Sequence, residues 1–281
     1  MTIGDLLAAA AARLAAAGID GAMREARLLL QVAAGIPIST QIAFPERGLA
    51  ADAAARFELL LARRTRREPM AHILGQREFW SLAFAVTADT LDPRPDSETL
   101  VQAVLDRVPD RSAALRLVDF GTGTGCLLLS LLHELPNATG LGVDVSHKAL
   151  AVATQNADAL ALAPRAAFRC GNWDDGLDAR FDIVVSNPPY IPSRDIATLQ
   201  PEIVSFEPRL ALDGGADGLD AYRRLGPAAV RLLVPGGLAA FEIGLGQGDS
   251  MRRIMAAAGL RHIATAPDLA AVERCVLFRK S

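Results

Sequence analysis

Cysteine, histidine and aromatic residues are scarce in this chain of 281 residues: three cysteines, four histidines and an aromatic share of 5%. Cys126, Cys170 and Cys275 are odd in number, far apart and outside any CxxC spacing, which excludes a disulfide framework and a thiolate zinc site. Each histidine stands alone, with no cysteine or serine at metal or triad spacing, so no metal is expected. An excess of positive charge is missing too. Lysine and arginine number 29 against 32 acids, a net charge of -3, which offers no electrostatic footprint for a nucleic-acid backbone. The expectation is no stable nucleic-acid partner, and a protein or small-molecule substrate instead. No apolar run reaches the length of a membrane span. Asp5 and Arg13 interrupt the apolar N-terminal stretch, which lacks the charged start and cleavage pattern of a signal peptide. A soluble, cytoplasmic protein with no membrane partner is therefore expected.

What is present is aliphatic: the chain is 51% hydrophobic and 22% charged, a globular composition in which alanine and leucine carry the core. Ile3, Leu6, Leu7, Ala10 and Leu14 recur at helical spacing behind Thr2, and Met23, Ala26, Leu29, Leu30 and Ala33 repeat the pattern before Gly35 and Pro37 end it. A third amphipathic helix is predicted from about Ala51 to Arg66. Between Glu78 and Val86 the period changes to short extended pieces, and Pro93 and Pro95 then interrupt any regular element. The predicted organisation is a helical domain over 1–70, a linker over 71–98 and a larger domain over 99–281. From Leu115 the order becomes strand, glycine turn, helix, strand, which predicts an α/β, Rossmann-like parallel sheet with helices on both faces. Leu115–Phe120, Thr139–Val145, Ala166–Cys170, Phe181–Asn187, Leu238–Gly244 and Cys275–Arg279 are the strand candidates. Cys126–Glu134, Ser146–Leu160, Asp220–Leu233 and Gly248–Ala258 are the helices.

Asp119-Phe120-Gly121-Thr122-Gly123-Thr124-Gly125 comes directly after the first of these strands and opens a helix, the place where a nucleotide-like ligand sits in a doubly wound sheet. Glycine lets the backbone approach such a ligand closely. Asp144, at the carboxyl end of the next strand, is placed to accept both ribose hydroxyls. A GxGxG alone also describes any tight strand-to-helix turn; the flanking strand, helix and acid favour the ligand loop. A dinucleotide loop reads GxGxxG and faces a pyrophosphate, whereas this one reads DxGxGxG. The pattern favours S-adenosylmethionine, which has no phosphate.

The strand Phe181–Ser186 runs into Asn187-Pro188-Pro189-Tyr190, where two prolines fix φ and remove two backbone donors. A planar NH2 group is a poor nucleophile, and a site that methylates it must hold both hydrogens and aim the nitrogen. The Asn187 side-chain carbonyl can take one and the Pro188 backbone carbonyl the other, while Tyr190 offers a ring face. Such fixed acceptors bind the increasingly acidic hydrogens of the transition state better than those of the ground state. The catalytic candidates are therefore Asn187, Pro188, Pro189 and Tyr190. A side-chain amide and the amine of adenine look alike to this corner, so adenine N6 methylation of a flipped base stays open, as does a cofactor-binding protein without catalysis.

Across nearly its whole length the chain resembles the release factor glutamine methyltransferases, the HemK/PrmC-like family. Besides the two motifs, Glu68 to Gly75, Pro93-Arg94-Pro95-Asp96-Ser97-Glu98, Glu207-Pro208 with Ala211-Leu212, Gly214 to Leu219, Tyr222-Arg223 and Glu242-Ile243-Gly244 with Gln247 carry the likeness. The resemblance implies a seven-stranded methyltransferase sheet behind a small helical, substrate-recognising domain. It implies methyl transfer from S-adenosyl-L-methionine, leaving S-adenosyl-L-homocysteine, to the glutamine N5 of the Gly-Gly-Gln motif of peptide chain release factors. A related activity on a ribosomal-protein glutamine is the neighbouring alternative. Carried over by position, Gly121, Thr122, Gly123, Thr124, Gly125 and Asp144 contact the cofactor, Trp173 flanks its adenine, and Asn187 touches both ligands. Departures from the family pattern are Asp92 for an apolar residue, Ser97 for threonine and His72 for tyrosine.

Overall fold

The computed structural model describes residues 2–281, which divide into two compact units: the first runs to Gly75 and includes Gln200–Phe206, and the second comprises 76–199 with 207–281. In the first, Thr2 starts helix Ile3–Ala16 with a capping box: Asp5 N–H donates to Thr2 Oγ1 at 3.1 Å and Thr2 N–H to Asp5 Oδ2 at 3.3 Å. Helix Ala22–Ala34 ends on Gly35, whose φ of 68° a side chain would resist. With helices Ile38–Ala43, Ala51–Thr65 and Met70–Leu74 it encloses a core of Leu6, Leu14, Leu29, Leu30, Phe57, Leu61 and Ile73. Helix Pro201–Phe206 belongs to this unit as well, because Glu202 pairs with Arg64 at 3.2 Å and Arg67 at 2.7 Å. The larger domain expected over 99–281 therefore gives up seven residues to the helical one.

The second unit opens with an antiparallel hairpin, β1 (Gln76–Phe79) and β2 (Leu82–Ala85). The stretch expected as a linker is thus structured: Phe79 and Phe84 are buried in the same core as Leu100 and Leu128. Helix Glu98–Leu105, which apolar spacing did not reveal, comes after a short 3-10 turn at Pro95–Ser97.

Seven strands form the main sheet: β3 (Arg116–Phe120), β4 (Thr139–Asp144), β5 (Ala166–Cys170), β6 (Phe181–Ser186), β7 (Leu233–Glu242), β8 (Leu260–Pro267) and β9 (Glu273–Lys280). Their order is β5-β4-β3-β6-β7-β9-β8. All pairs from β5 to β7 are parallel, as expected of a Rossmann-like sheet, while β9 runs antiparallel to both its neighbours. A short turn from β8 into β9 can only make an antiparallel pair. β8 escaped detection because it is an edge strand buried only at Leu260, so it carries no alternating apolar signal.

Strand periodicity divides the core in two. Ile183, Val185, Leu238 and Ala240 face one side, with Leu100 and the helix Cys126–Glu134. Val184, Ala239 and Phe241 face the other, with Tyr222, Leu225 and Met251 of the helices Asp220–Leu232 and Gly248–Ala258. Helices therefore cover both faces, and only the strand ends remain for a ligand.

Candidate active site

β3 pairs with β4 on one side and β6 on the other, so the chain leaves these strands in opposite directions and opens a crevice at their carboxyl ends. A cavity of about 460 Å³ lies there. Gly121 and Gly123 from the loop after β3, Asp144 from the end of β4, Trp173 beyond β5, and Asn187 and Pro189 beyond β6 all line it.

The glycine loop is held from behind. Gly121 and Thr122 N–H donate to the Val143 carbonyl at 2.8 and 3.1 Å, and Gly121, Gly123 and Gly125 take φ values of 71°, 54° and 80°. Asp144 Oδ2 accepts from Gly123 N–H at 3.0 Å and Oδ1 from Ser146 N–H at 2.9 Å, which fixes the carboxylate at the rim. Asp119 is the buried acid beneath the loop. Its Oδ2 accepts from the Thr122 hydroxyl at 2.8 Å, its Oδ1 has no hydrogen-bond partner among the described residues, and burial pushes its carboxyl up to about 7, helped by the charge of Asp144.

Thr122, Thr124 and Gly125, expected among the cofactor contacts, do not line the cavity. The Thr122 hydroxyl is committed to Asp119, the Thr124 carbonyl to Asn156 Nδ2 at 2.9 Å, and Gly125 serves as the left-handed cap of the helix Cys126–Glu134. Pro188 and Tyr190 are likewise absent from the lining. Pro188 is buried, and the Tyr190 hydroxyl turns inward to donate to Glu242 Oε1 at 3.1 Å. Asn187 donates from Nδ2 to Ser97 Oγ at 3.2 Å, so its Oδ1 is the group the amide can present to the cavity.

Two elements clamp this corner. Gln247 donates from Nε2 to the Tyr190 carbonyl at 2.9 Å and to the Gly218 carbonyl at 3.2 Å, and it accepts from Gly244 N–H at 2.9 Å. Ile191 N–H donates to the Leu212 carbonyl at 3.0 Å, and Gly214 N–H to the Ile191 carbonyl at 2.9 Å. A Cβ on Gly214 would meet the Pro189 carbonyl at 2.8 Å, so the glycines of 214–218 are there to let two backbones touch.

Sequence motifs did not mark the segment 88–91, which lines the cavity, or Asn156, which holds it. Asn156 accepts from Ala85 N–H at 2.7 Å and donates to the Ala85 carbonyl at 3.2 Å, joining the end of β2 to the glycine loop. An asparagine on the buried face of a helix otherwise made of Val152, Ala153 and Ala157 was the available signal.

Residues 5–75 match the family described as the PrmC N-terminal domain, and residues 79–215 that described as the methyltransferase small domain. A release factor glutamine methyltransferase of Caulobacter vibrioides is 47% identical over 97% of this chain and 94% of its own length. Another, of Rhodospirillum rubrum, is 45% identical over 100% of this chain and 86% of its own. The chain belongs to the release factor glutamine methyltransferase family. A methyltransferase structure from Pyrococcus furiosus, 16% identical with a TM-score of 0.54 over 71% of this chain and 89% of that one, agrees in fold alone.

In this member of the release factor glutamine methyltransferases two of the departures, Asp92 and Ser97, have local explanations. Asp92 is buried between Arg77, at 3.7 Å, and Arg94, at 4.0 Å, and Arg94 also grips Glu207 at 2.5 Å, so the acid is absorbed in an ionic cluster within the second unit. Glu98, next to Ser97, is held by Trp80, whose N–H donates to its Oε1 at 2.8 Å. Ser97 keeps a hydroxyl, and Asn187 uses it. Three arginines of the segment 63–67 are spent internally, Arg63 on Glu68 at 2.5 Å, Arg64 on Glu25 at 2.6 Å and Arg67 on Glu202, while Arg66 is exposed. Burial pushes the Cys126 thiol up to about 12, which leaves it unreactive.

Proposed function

We propose that this chain methylates the side-chain amide nitrogen of the glutamine in the Gly-Gly-Gln motif of peptide chain release factors, using S-adenosylmethionine. The observation that carries the reading is that Asn187 and Pro189 share one cavity with Gly121, Gly123, Asp144 and Trp173. The likeness to relatives named for this activity supports the choice of substrate. A cytoplasmic location goes with such a substrate.

The residues present suit the cofactor. Asp144 is oriented by two backbone N–H groups yet keeps lone pairs for a pair of ribose hydroxyls, the glycine loop exposes backbone, and Trp173, Val143 and Ala149 supply an apolar wall for an adenine. Bound there, the cofactor would supply a methyl group activated by a sulfonium and leave as S-adenosylhomocysteine. Asn187 Oδ1 accepts one hydrogen of the glutamine amide, which aims the nitrogen, and Pro188, buried outside the cavity lining, stiffens the turn that carries Asn187. Methyl transfer would make the hydrogens on the nitrogen more acidic, and the one proton in excess would pass to solvent with no strong base required at the site. The Asn187 acceptor is fixed by the rigid corner, so it favours the charged transition state without reorganising.

The test is to incubate the protein with radiolabelled S-adenosylmethionine and, separately, a release factor, ribosomal proteins and DNA, and to locate the label by mass spectrometry. Label on the Gly-Gly-Gln glutamine is expected, and Asn187→Ala should lower turnover by about 100-fold or more while cofactor binding persists. Label on DNA alone, or parental turnover in Asn187→Ala, refutes the reading.

A further inference from the structure

Asn187 can present an acceptor to a substrate amide only if its own amide is held one way round, and the groups that hold it lie behind the cavity. Ser186 of β6 pairs with Phe241 of β7, so Asn187 and Glu242 leave the sheet side by side. Ser97 is 3% exposed and Glu242 2%. The Ser97 hydroxyl accepts from Asn187 Nδ2 and lies close enough to Glu242 to favour its charged form. Glu242 Oε1 accepts a hydrogen bond from the Tyr190 hydroxyl at 3.1 Å, which leaves Oε2 as the oxygen that can take one from Ser97. None of Ser97, Glu242 or Tyr190 lines the cavity.

We propose that Ser97 and Glu242 are positioning residues that set the direction of the Asn187 amide. The inference rests on the role proposed for Asn187 in methyl transfer. A serine hydroxyl has one proton. An ionised Glu242 can only accept, so it draws that proton and leaves the Ser97 lone pair to be met by Asn187 Nδ2, which turns Oδ1 toward the substrate. A protonated Glu242 can donate to Ser97 instead. Ser97 then donates to Asn187 Oδ1, the amide turns over, and its N–H groups face the donors of the substrate amide. Through Ser97, a carboxyl that touches no ligand thus decides whether Asn187 attracts or repels the reacting nitrogen. Tyr190, tied to the same carboxylate, fixes the far end of the corner.

Burial pushes the Glu242 carboxyl above the usual range, against the pull of the Ser97 and Tyr190 hydroxyls and of Arg274, while Asp96 adds to burial. The other titratable neighbours, Tyr190, Tyr222, Cys126 and Cys275, are held neutral because burial raises each of them. On this proposal an acid limb of turnover reports Glu242, while Asp119, pushed up to about 7 beneath the glycine loop, is read separately through cofactor affinity.

The experiment compares the full-length parent with Ser97→Ala, Ser97→Thr, Glu242→Gln and Asn187→Ala, measuring kcat and KM on a release factor, S-adenosylhomocysteine affinity by calorimetry, and kcat against pH. Ser97→Ala should lose about 10- to 100-fold in kcat with cofactor affinity changed less than about twofold, and Ser97→Thr should restore kcat to within about threefold. Glu242→Gln, whose amide can donate to Ser97, should be slow and lack the acid limb. Parental kcat in Ser97→Ala, failure of Ser97→Thr to restore it, or an unchanged acid limb in Glu242→Gln overturns the proposal. Parental kcat in Asn187→Ala marks the different failure, that of the site reading itself.

Discussion

Truncating Asn156 to alanine removes three hydrogen bonds at once, at 2.7, 2.9 and 3.2 Å, from a side chain that is 1% exposed. The Ala85 N–H and carbonyl and the Thr124 carbonyl lose their partner together. Each lost bond is worth about 1 kcal/mol net, and more where water cannot replace it, so the expected loss is about 3 kcal/mol. Ala85 is only half-buried and can recover some hydration, which keeps the figure from rising toward that of three fully orphaned groups. A loss of that size corresponds to a Tm about 6–12 °C lower for a chain of this length. Asn156→Asp keeps the acceptor for Ala85 N–H but sets a charge against two carbonyls, so it should be worse than alanine at neutral pH and recover as the carboxyl protonates. Because Asn156 ties the end of β2 to the glycine loop, cofactor affinity should fall with stability. Urea unfolding followed by circular dichroism gives the stability, and calorimetry with S-adenosylhomocysteine the affinity. A stability loss below about 1 kcal/mol in the alanine variant would show that water satisfies these groups and that the side chain ties nothing together.

Three further outcomes are expected. With its carboxyl pushed up to about 7 by burial against an ordinary 3.8, Asp119 keeps a proton in the folded state that the unfolded chain has lost, so its contribution to stability falls as pH rises between those values. Asp119→Asn should lack this slope and exceed the parent above pH 7 by at most about 4 kcal/mol; an equal parent–variant difference at pH 5 and pH 8 in urea unfolding would contradict it. Gly218→Ala forces a side chain into a φ of 77° and its Cβ onto the Tyr190 carbonyl, costing about 1–2 kcal/mol from backbone strain alone and lowering turnover by displacing the corner. Unchanged kcat in that variant would separate the 214–218 loop from the site. Asp144→Ala should weaken S-adenosylhomocysteine binding by about 10- to 100-fold, since hydrogen bonds to a charged acceptor are lost, and equal affinity in a titration would remove the ribose role.

Features whose cause is local could be read directly from the chain. Thr2 and Asp5 are three residues apart and cap a helix; Gly121 to Gly125 form a loop because successive positive φ values need glycine; Asn187-Pro188-Pro189 is rigid through its own covalent structure. Alternation of apolar residues announced six of the seven strands and the helices over them, but not β8, whose burial at Leu260 alone leaves no pattern, nor the place of Pro201–Phe206 among the N-terminal helices, which rests on ion pairs to Arg64 and Arg67. The site divides in the same way. Motifs named Asn187, Asp144 and the glycines, whereas folding decided which of their atoms reach the cavity: Gly123 but not Thr122, Pro189 but not Tyr190. Only the tertiary structure could bring Ser97 to Asn187 across 90 positions of chain, Glu242 to Tyr190 across 52, and Asn156 to Ala85 across 71. A hydrogen-bond partner that distant leaves no periodicity in sequence, because what selects it is the single acceptor or donor a buried neighbour still lacks, and that need exists only once the strands have placed them together.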